Sequence, residues 1–250
     1  MIEELSDFFI IKQIGDIMAK IYVIGVGTGS KDCLTLRAVE ILQKLDVLYC
    51  PTSKSDNESI AFSIAKDFLK SDVEVKNRHF PMIRDREKIK GIFKDMANEM
   101  KNDALSGKNV GFVTIGDPMI YSTFIYVLEN LKNNIEVQTI SGIPSFVDVA
   151  SKMNFPLAFD DMPFVVIPSI ANMEKIEKYI AEFEAIVLMK AYKNYGELIE
   201  LIKKYKLENH SLIVSNSSRD NEKIIVGKDI FTQENEEYLT TIIINKRWEL

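Results

Sequence analysis

The sequence is poor in the residues that cross-link small proteins or bind metals. Its 250 residues include two cysteines, two histidines and one tryptophan. Cys33 and Cys50 form no Cys-x-x-Cys pair, and the histidines stand apart, so we predict neither a disulfide framework nor a protein-bound metal. Two unpaired thiols are typical of a reducing compartment, and we therefore predict a cytoplasmic protein.

Signal-peptide patterns and apolar runs long enough to cross a bilayer are also absent, so no membrane partner is expected. The formal net charge of −6 disfavours a nucleic-acid partner, because nucleic-acid binding favours a basic surface. With 46% hydrophobic and 27% charged residues, the composition is that of an ordinary globular protein. A chain of this length can bury one large core or two modest ones.

What the sequence does contain, from Ile21 onward, is an alternation of apolar strands and amphipathic helices. Short turns between them predict a parallel five-stranded sheet with helices on both faces. After residue 143 the last apolar runs come close together, which is typical of antiparallel pairing and predicts a mixed sheet. We therefore predict an α/β fold with two α/β domains, residues 18–143 and 144–250. Residues 1–17 are interpreted as an extension, either an upstream start or a packing arm, and a chain starting at Met18 is expected to fold.

One strand-to-helix turn stands out in the first domain. A buried strand at residues 110–115 is followed by Gly116-Asp117-Pro118-Met119-Ile120-Tyr121-Ser122-Thr123-Phe124. We predict Asp117 as a helix N-cap and Pro118 as the first helical residue. Because ligands of open α/β sheets bind outside the carboxyl ends of the strands, this turn is expected to face a ligand.

A second turn, Gly25-Val26-Gly27-Thr28-Gly29-Ser30, follows the first strand and suggests dinucleotide binding. The dinucleotide fingerprint has a third glycine where Ser30 stands and an acidic residue at the end of the second strand. That strand instead ends in Tyr49-Cys50-Pro51-Thr52, and Pro51 is predicted to stop it. These differences disfavour NAD or NADP.

Four segments, in order and spacing, resemble the tetrapyrrole (corrin and porphyrin) methylases. They are residues 25–29, 116–124, 141–146 (Ser-Gly-Ile-Pro-Ser-Phe) and 187–190 (Val-Leu-Met-Lys). The Tyr-Ser-Thr-Phe continuation is similar to the branch that methylates C-20 of precorrin-2 or of cobalt-factor II. The resemblance covers about residues 20 to 250. It implies a homodimeric, S-adenosylmethionine (SAM)-dependent C-methyltransferase of cobalamin biosynthesis, with its active site in the cleft between two domains.

The resemblance also implies where SAM is bound. The methionine carboxylate of SAM suits free N–H groups at a helix N-terminus, and its adenine needs an apolar slot. The cofactor-binding residues implied are Gly116, Asp117, Ile120, Ser122, Thr123, Ser145, Met189, Ser217 and Thr241.

Methylation at C-20 requires that the carbon lose a proton, and a base of matched pKa can assist. Asp117 and Tyr121 are the candidate catalytic residues. Two alternatives remain open: Asp117 serves only as a helix cap, or the reactivity of the substrate suffices without a base.

The tetrapyrrole substrate carries several carboxylates and needs cations near it. Arg78, Arg84 and Arg86 surround Phe80-Pro81-Met82, and an arginine-rich loop of this kind can clamp carboxylates through paired hydrogen bonds. We predict these arginines as substrate-binding residues, with a solvated charged loop as the alternative. Lys54 and Lys190 are weaker candidates.

Other functions remain open at this point. The nearest is methylation of another tetrapyrrole ring position on the same fold. A methylase of RNA or diphthamide is disfavoured by the acidic balance. From a different class, the chain is alternatively a nucleotide-binding module without turnover. The sequence leaves open whether the tetrapyrrole is metal-free or loaded with cobalt.

Overall fold

A computed structural model describes residues 20–52, 59–80, 86–132, 135–170, 172–235 and 237–250, without the side chains of residues 86–88. The predicted extension at residues 1–17 therefore lies outside the described residues, as do Lys54 and Arg84. The chain divides into two compact units. The first contains the described residues up to Val26 together with Leu34–Gly142, and the second contains Gly27–Cys33 together with Ile143–Leu250.

As predicted, the first unit contains a parallel five-stranded sheet, and its strand order is β3-β2-β4-β1-β5. Side chains cap the start of two of its helices: Thr35 accepts the N–H of Ala38, and Ser59 accepts the N–H of Phe62. The strands are β1 Lys20–Gly25, β2 Val47–Thr52, β3 Glu74–His79, β4 Val110–Thr114 and β5 Glu136–Ile140; the helices are α1 Leu36–Leu42, α2 Ile60–Ala65, α3 Arg86–Leu105 and α4 Phe124–Leu131.

Apolar side chains cover both faces of this sheet, because successive residues of a strand point to opposite sides. Val23 of β1 packs in one core with Phe112 and Phe124. Its neighbour Ile24 packs in the other core, with Leu48. The sheet is thus buried on both sides, which explains the near-continuous apolar strands in the sequence.

The second unit contains the predicted mixed sheet, and its strand order is β6-β7-β10-β8-β9. β6 and β7 are parallel, and the remaining pairs are antiparallel. The strands are β6 Phe164–Pro168, β7 Ala185–Met189, β8 Ser211–Ser215, β9 Lys223–Val226 and β10 Thr240–Asn245; the helices are α5 Ser145–Lys152, α6 Met173–Glu182 and α7 Tyr195–Lys204. No helix among the described residues combines the length and the apolar character that a bilayer-spanning segment requires.

Two strand boundaries differ from the predictions. β2 does not stop at Pro51 but continues to Thr52. β4 pairs with β2 only as far as Tyr49, so Pro51 has a neighbouring strand on one side only, where a missing N–H is tolerated. β3 extends to His79, which places Arg78 on a strand rather than in a loop.

A charged network centred on Tyr49 joins β2 and β3 to α3. Tyr49 is fully buried, and its hydroxyl donates to Asp103 Oδ2 at 2.6 Å. Lys76 Nζ lies 2.6 Å from the same oxygen, and Arg78 Nε donates to Glu99 at 2.9 Å. Burial alone would raise the pKa of Asp103, but hydrogen bonds from Lys76 and Tyr49 bring it below its ordinary value. The hydrogen bond from Arg78 likewise lowers the pKa of Glu99.

This network predicts a pH-dependent contribution of Asp103 to stability. A carboxyl pKa that is lowered by folding stabilises the protein above the pKa of the unfolded chain, about 4, and this stabilisation is lost as the pH falls through the folded value. Asp103→Asn should lower the free energy of unfolding at pH 7 by about 1–3 kcal/mol, the scale of a lost hydrogen bond to a charged group. Urea denaturation between pH 7 and pH 3 should then show a flatter pH dependence than the wild type.

Asp95→Asn is the matched control, because Asp95 is an exposed carboxylate on the same helix. It should keep the wild-type pH dependence. An Asp103→Asn profile parallel to the wild type at all pH values would contradict the assigned role.

Candidate functional site

Three backbone turns meet at the carboxyl end of the first sheet, after β1, β4 and β5. A Cβ placed on Gly142 would lie 2.0 Å from the carbonyl oxygen of Gly116 and 2.7 Å from the carbonyl carbon of Gly25. A Cβ on Gly25 would lie 2.6 Å from both the Gly116 oxygen and the Gly142 nitrogen. The three turns therefore contact one another through backbone atoms alone, and any side chain at Gly25 or Gly142 would force them apart.

Asp117 ties two of these turns together. Its Oδ1 accepts the N–H of Met119 at 2.8 Å, and its Oδ2 accepts the N–H of Gly142 at 3.1 Å. The prediction of Asp117 as a helix N-cap, with Pro118 as the first helical residue, was therefore wrong. The carboxylate reaches across to the turn after β5 instead of capping its own helix.

The helix after this turn starts seven residues later than Asp117, at Phe124. Gly116 and Tyr121 have φ angles of 69° and 49°, and these left-handed conformations interrupt a helical path. Ser122 Oγ accepts the N–H of Phe124 at 3.2 Å. The intervening residues form an open turn in which the side chains of Met119 and Tyr121 are 45% and 38% exposed.

The predicted cofactor residues of the first unit lie in this one turn. Gly116, Asp117, Ile120 and Ser122 are half-buried, and Thr123 is exposed. Ser122 Oγ also lies 3.4 Å from Thr114 Oγ1 at the end of β4. The turn thus offers short polar groups together with apolar side chains at the edge where α/β sheets bind ligands.

In the second unit the predicted cofactor residues also gather at one sheet edge. Met189 at the end of β7 is paired with Thr241 at the start of β10, and Ser145 Oγ lies 3.2 Å from Thr241 Oγ1. Ser217 follows β8, whose last residue is paired with Thr240. Lys190 follows Met189 in a left-handed conformation, and burial lowers the pKa of its ammonium group.

Sequence reasoning missed the carboxylate of Asp148 on α5. Its Oδ2 accepts hydrogen bonds from the hydroxyls of Thr28 at 3.1 Å, Ser217 at 2.7 Å and Ser218 at 2.8 Å. Burial would raise the pKa of Asp148, but the serine hydrogen bonds and Lys152 lower it. Through these hydrogen bonds, Asp148 connects the glycine turn (residues 25–30) and the turn after β8 to α5. No local pattern marks it, because its partners are far away in the sequence.

Of the three arginines in the predicted loop, the structure describes the side chain of Arg78 alone. Arg78 lies on β3 and is paired with Glu99, and its guanidinium carbon lies 5.6 Å from the centre of the Tyr49 ring. Arg84 lies outside the described residues, and Arg86 begins α3 with its side chain undescribed. The substrate role of these three arginines stays a prediction. Among the described residues, no three His, Cys, Asp or Glu side chains gather as a metal site would.

The architecture and the turns are those of a known class of methyltransferase. Residues 20–228 match the family of Tetrapyrrole (Corrin/Porphyrin) Methylases, and the chain belongs to that family. The family prediction made from the four sequence segments is thereby confirmed.

The chain is also similar to individual methyltransferases. The chain is 35% identical to a probable cobalt-precorrin-2 C(20)-methyltransferase of Methanocaldococcus jannaschii, an alignment that covers 92% of this chain and 97% of that one. It is 30% identical to a cobalt-precorrin-2 C(20)-methyltransferase of Salmonella typhimurium, over 92% and 98% of the two chains. A precorrin-2 C(20)-methyltransferase of Sinorhizobium is 27% identical, over 70% and 76%.

Solved structures confirm the predicted fold class. A cobalt precorrin-4 methyltransferase superposes with a TM-score of 0.69 at 18% identity, over 91% of this chain and 95% of that one. A uroporphyrin-III C-methyltransferase from Thermus thermophilus, complexed with S-adenosylhomocysteine, gives a TM-score of 0.64 at 15% identity, over 91% and 98%. At these identities the likeness establishes the fold alone.

The backbone contact at Gly142 predicts that replacing glycine by alanine changes the free energy of unfolding in opposite directions at positions 142 and 91. Gly142→Ala should lower the free energy of unfolding by about 2 kcal/mol or more, because its methyl group would overlap neighbouring backbone. Gly91→Ala should raise it by about 0.5–1 kcal/mol, because Gly91 lies in the exposed interior of α3 with no atom near its missing Cβ. Urea denaturation of both variants measures the two changes. A Gly142→Ala variant as stable as the wild type would show that the three turns can separate freely.

Proposed function

We propose that the protein is a SAM-dependent methyltransferase of cobalamin biosynthesis that methylates C-20 of precorrin-2 in its cobalt-loaded form. The observation that carries the proposal is the 35% and 30% identity to two cobalt-precorrin-2 C(20)-methyltransferases over 92% of the chain. The precorrin-2 relative is less similar, at 27%, which favours the cobalt form of the substrate. The cobalt in this proposal belongs to the substrate and not to the protein.

The residues present suit SAM. Gly116 carries no side chain at the sheet edge, and exposed Met119 and Tyr121 provide apolar surface of the kind that an adenine or a methionine chain contacts. When bound, SAM supplies an electrophilic methyl group. We propose that the residues that hold SAM are Gly116, Asp117, Ile120, Ser122 and Thr123 in the first unit and Ser145, Met189, Ser217 and Thr241 in the second.

The two candidate catalytic residues have different chemical capacities. A carboxylate can accept about four hydrogen bonds, and Asp117 uses two of these positions for the N–H groups of Met119 and Gly142. The remaining lone pairs leave Asp117 able to accept the proton that C-20 loses. The phenol of Tyr121 can both donate and accept a hydrogen bond, which suits it to positioning a substrate. We therefore propose Asp117 as the base and Tyr121 as a group that orients the substrate.

Substitutions at these positions separate the two roles. Asp117→Asn should lower kcat by about 100-fold or more, the scale of general base catalysis, and Tyr121→Phe should raise the KM of the tetrapyrrole with a smaller effect on kcat. Steady-state kinetics with each reactant varied in turn measures both. Asp95→Asn and Tyr126→Phe are matched controls on α3 and α4, with exposed side chains, and should behave as wild type. An Asp117→Asn enzyme with unchanged kcat and a raised KM for SAM would remove Asp117 as the base.

The reaction itself can be tested directly. Purified protein should transfer one methyl group from SAM to cobalt-precorrin-2 and act more slowly on metal-free precorrin-2. Mass spectrometry measures the methyl gain, and nuclear magnetic resonance of a product labelled with ¹³C-methyl locates it at C-20. A methyl group at another position would assign the enzyme to a sibling reaction. Failure to consume SAM with either tetrapyrrole would favour a nucleotide-binding module without turnover.

We further propose a homodimer that works in the cytoplasm. Cys33 and Cys50 are both free thiols, which accords with a reducing compartment.

The homodimer is suggested by Phe164, which lies on the edge strand β6 with its side chain 45% exposed. An edge strand with an exposed aromatic residue is suited to pairing with a second copy. Sedimentation velocity at micromolar concentration reports the oligomeric state, and a monomer would contradict the proposal.

A further inference from the structure

Arg219, two residues after Ser217, differs from the exposed Arg37 by being half-buried, and from Arg78 and Arg247 by having no carboxylate partner among the described residues. Its side chain is half-buried, and the guanidinium has a single side-chain contact, from Nη1 to Asn216 Oδ1 at 3.5 Å. Among the described residues, no carboxylate lies within ion-pair distance of it. By contrast, Arg78 and Arg247 are paired with carboxylates. Within the part of the chain that the structure describes, most of the five N–H donors of Arg219 thus have no hydrogen-bond partner.

The stem of Arg219 is held against the glycine turn. A Cβ on Gly29 would lie 2.4 Å from Arg219 Cγ, and 2.8 and 2.9 Å from the carbonyl oxygens of Ser217 and Ser218. A glycine at position 29 is therefore required for Arg219 to pass over it. The contact fixes the guanidinium beside the first of the motifs that the chain shares with its family.

The turn that carries Arg219 is itself rigid. Asn216 and Ser218 both have positive φ angles, 52° and 61°. Ser218 Oγ donates to Asp148 at 2.8 Å, and its backbone N–H donates to Glu222 Oε2 at 2.6 Å. Left-handed conformations of residues other than glycine persist only where the surroundings hold them, and they are concentrated at binding sites.

The two carboxylates that accept hydrogen bonds from this turn, Asp148 and Glu222, are both paired with Lys152. Lys152 Nζ lies 3.3 Å from Asp148 Oδ2 and 2.9 Å from Glu222 Oε2. Neither of these two carboxylates forms an ion pair with Arg219. Its own positive charge is available to an anion from outside the chain.

We propose that Arg219 binds a carboxylate of one of the two reactants, either a side-chain carboxylate of the tetrapyrrole or the methionine carboxylate of SAM. The inference rests on the proposed function, which supplies both anions. A guanidinium can hold a carboxylate through two parallel hydrogen bonds, and a lysine cannot reproduce that geometry. The position two residues after Ser217, a proposed SAM contact, places this cation at the same sheet edge.

Two substitutions test the proposal by steady-state kinetics. Arg219→Met keeps an apolar stem over Gly29 but removes every donor, and it should raise the KM of one reactant about ten- to a hundredfold with kcat at saturation nearly unchanged. Arg219→Lys keeps the charge and should give a smaller rise. The reactant whose KM moves identifies the source of the carboxylate. The difference between wild type and Arg219→Met should shrink at high salt, because an accessible charge pair is screened.

Arg247→Met is the matched control, because it removes one positive charge from the same unit at a residue paired with Glu184 at 2.6 Å. The proposal is overturned if neither KM rises beyond that of the control in an Arg219→Met variant that unfolds at the wild-type temperature. If Arg219→Met does not fold, Arg219→Lys decides alone, and wild-type KM values for both reactants overturn the proposal.

The test remains valid if the proposed function fails. In that case the wild-type protein methylates no tetrapyrrole, and calorimetry with SAM and with cobalt-precorrin-2 replaces kinetics. Weaker binding of either ligand to Arg219→Met than to Arg247→Met supports the carboxylate site, and equal binding of both overturns it.

Discussion

The site in the first unit depends on a steric constraint, the direct contact of three backbone turns through Gly25, Gly116 and Gly142. Because β1 lies between β4 and β5, the turns that follow these strands emerge side by side. They can approach closely only where no Cβ intervenes. Asp117 then uses this proximity to accept the N–H of Gly142, so the shape of the turn after β4 is set by its neighbour as much as by its own sequence.

The second unit reaches a comparable rigidity through polar contacts. Asp148 is largely buried, and burying a carboxylate is costly unless hydrogen bonds satisfy it. Three hydroxyls and Lys152 do so here, and in doing so they join Gly27–Cys33 and the turn after β8 to α5. The same hydrogen bonds lower the pKa of Asp148, which keeps the cluster charged and intact at neutral pH.

The arginines show why the number of charges in a segment does not indicate their role. Arg78 stands in the most arginine-rich part of the sequence, yet its guanidinium is already paired with Glu99 and lies over the Tyr49 ring. Arg219 stands alone in the sequence, yet its guanidinium lacks a carboxylate partner among the described residues. In a protein with a net charge of −6, a cation is available to a ligand only where the fold leaves it unpaired.

The parallel and the mixed sheet could both be predicted from the order of residues, because strand and helix periodicities are local. The sequence also indicated the family, because four short motifs keep their order along the chain. No sequence pattern indicated the start of α4 at Phe124, the hydrogen bonds of Asp117 or the position of Asp148, because these depend on contacts made in the folded chain. The bond from Gly142 to Asp117 spans 25 residues and the bond from Thr28 to Asp148 spans 120. An N-cap prediction for Asp117 considers only the N–H groups next to it in the chain, whereas the folded carboxylate binds the donors that the sheet brings to it.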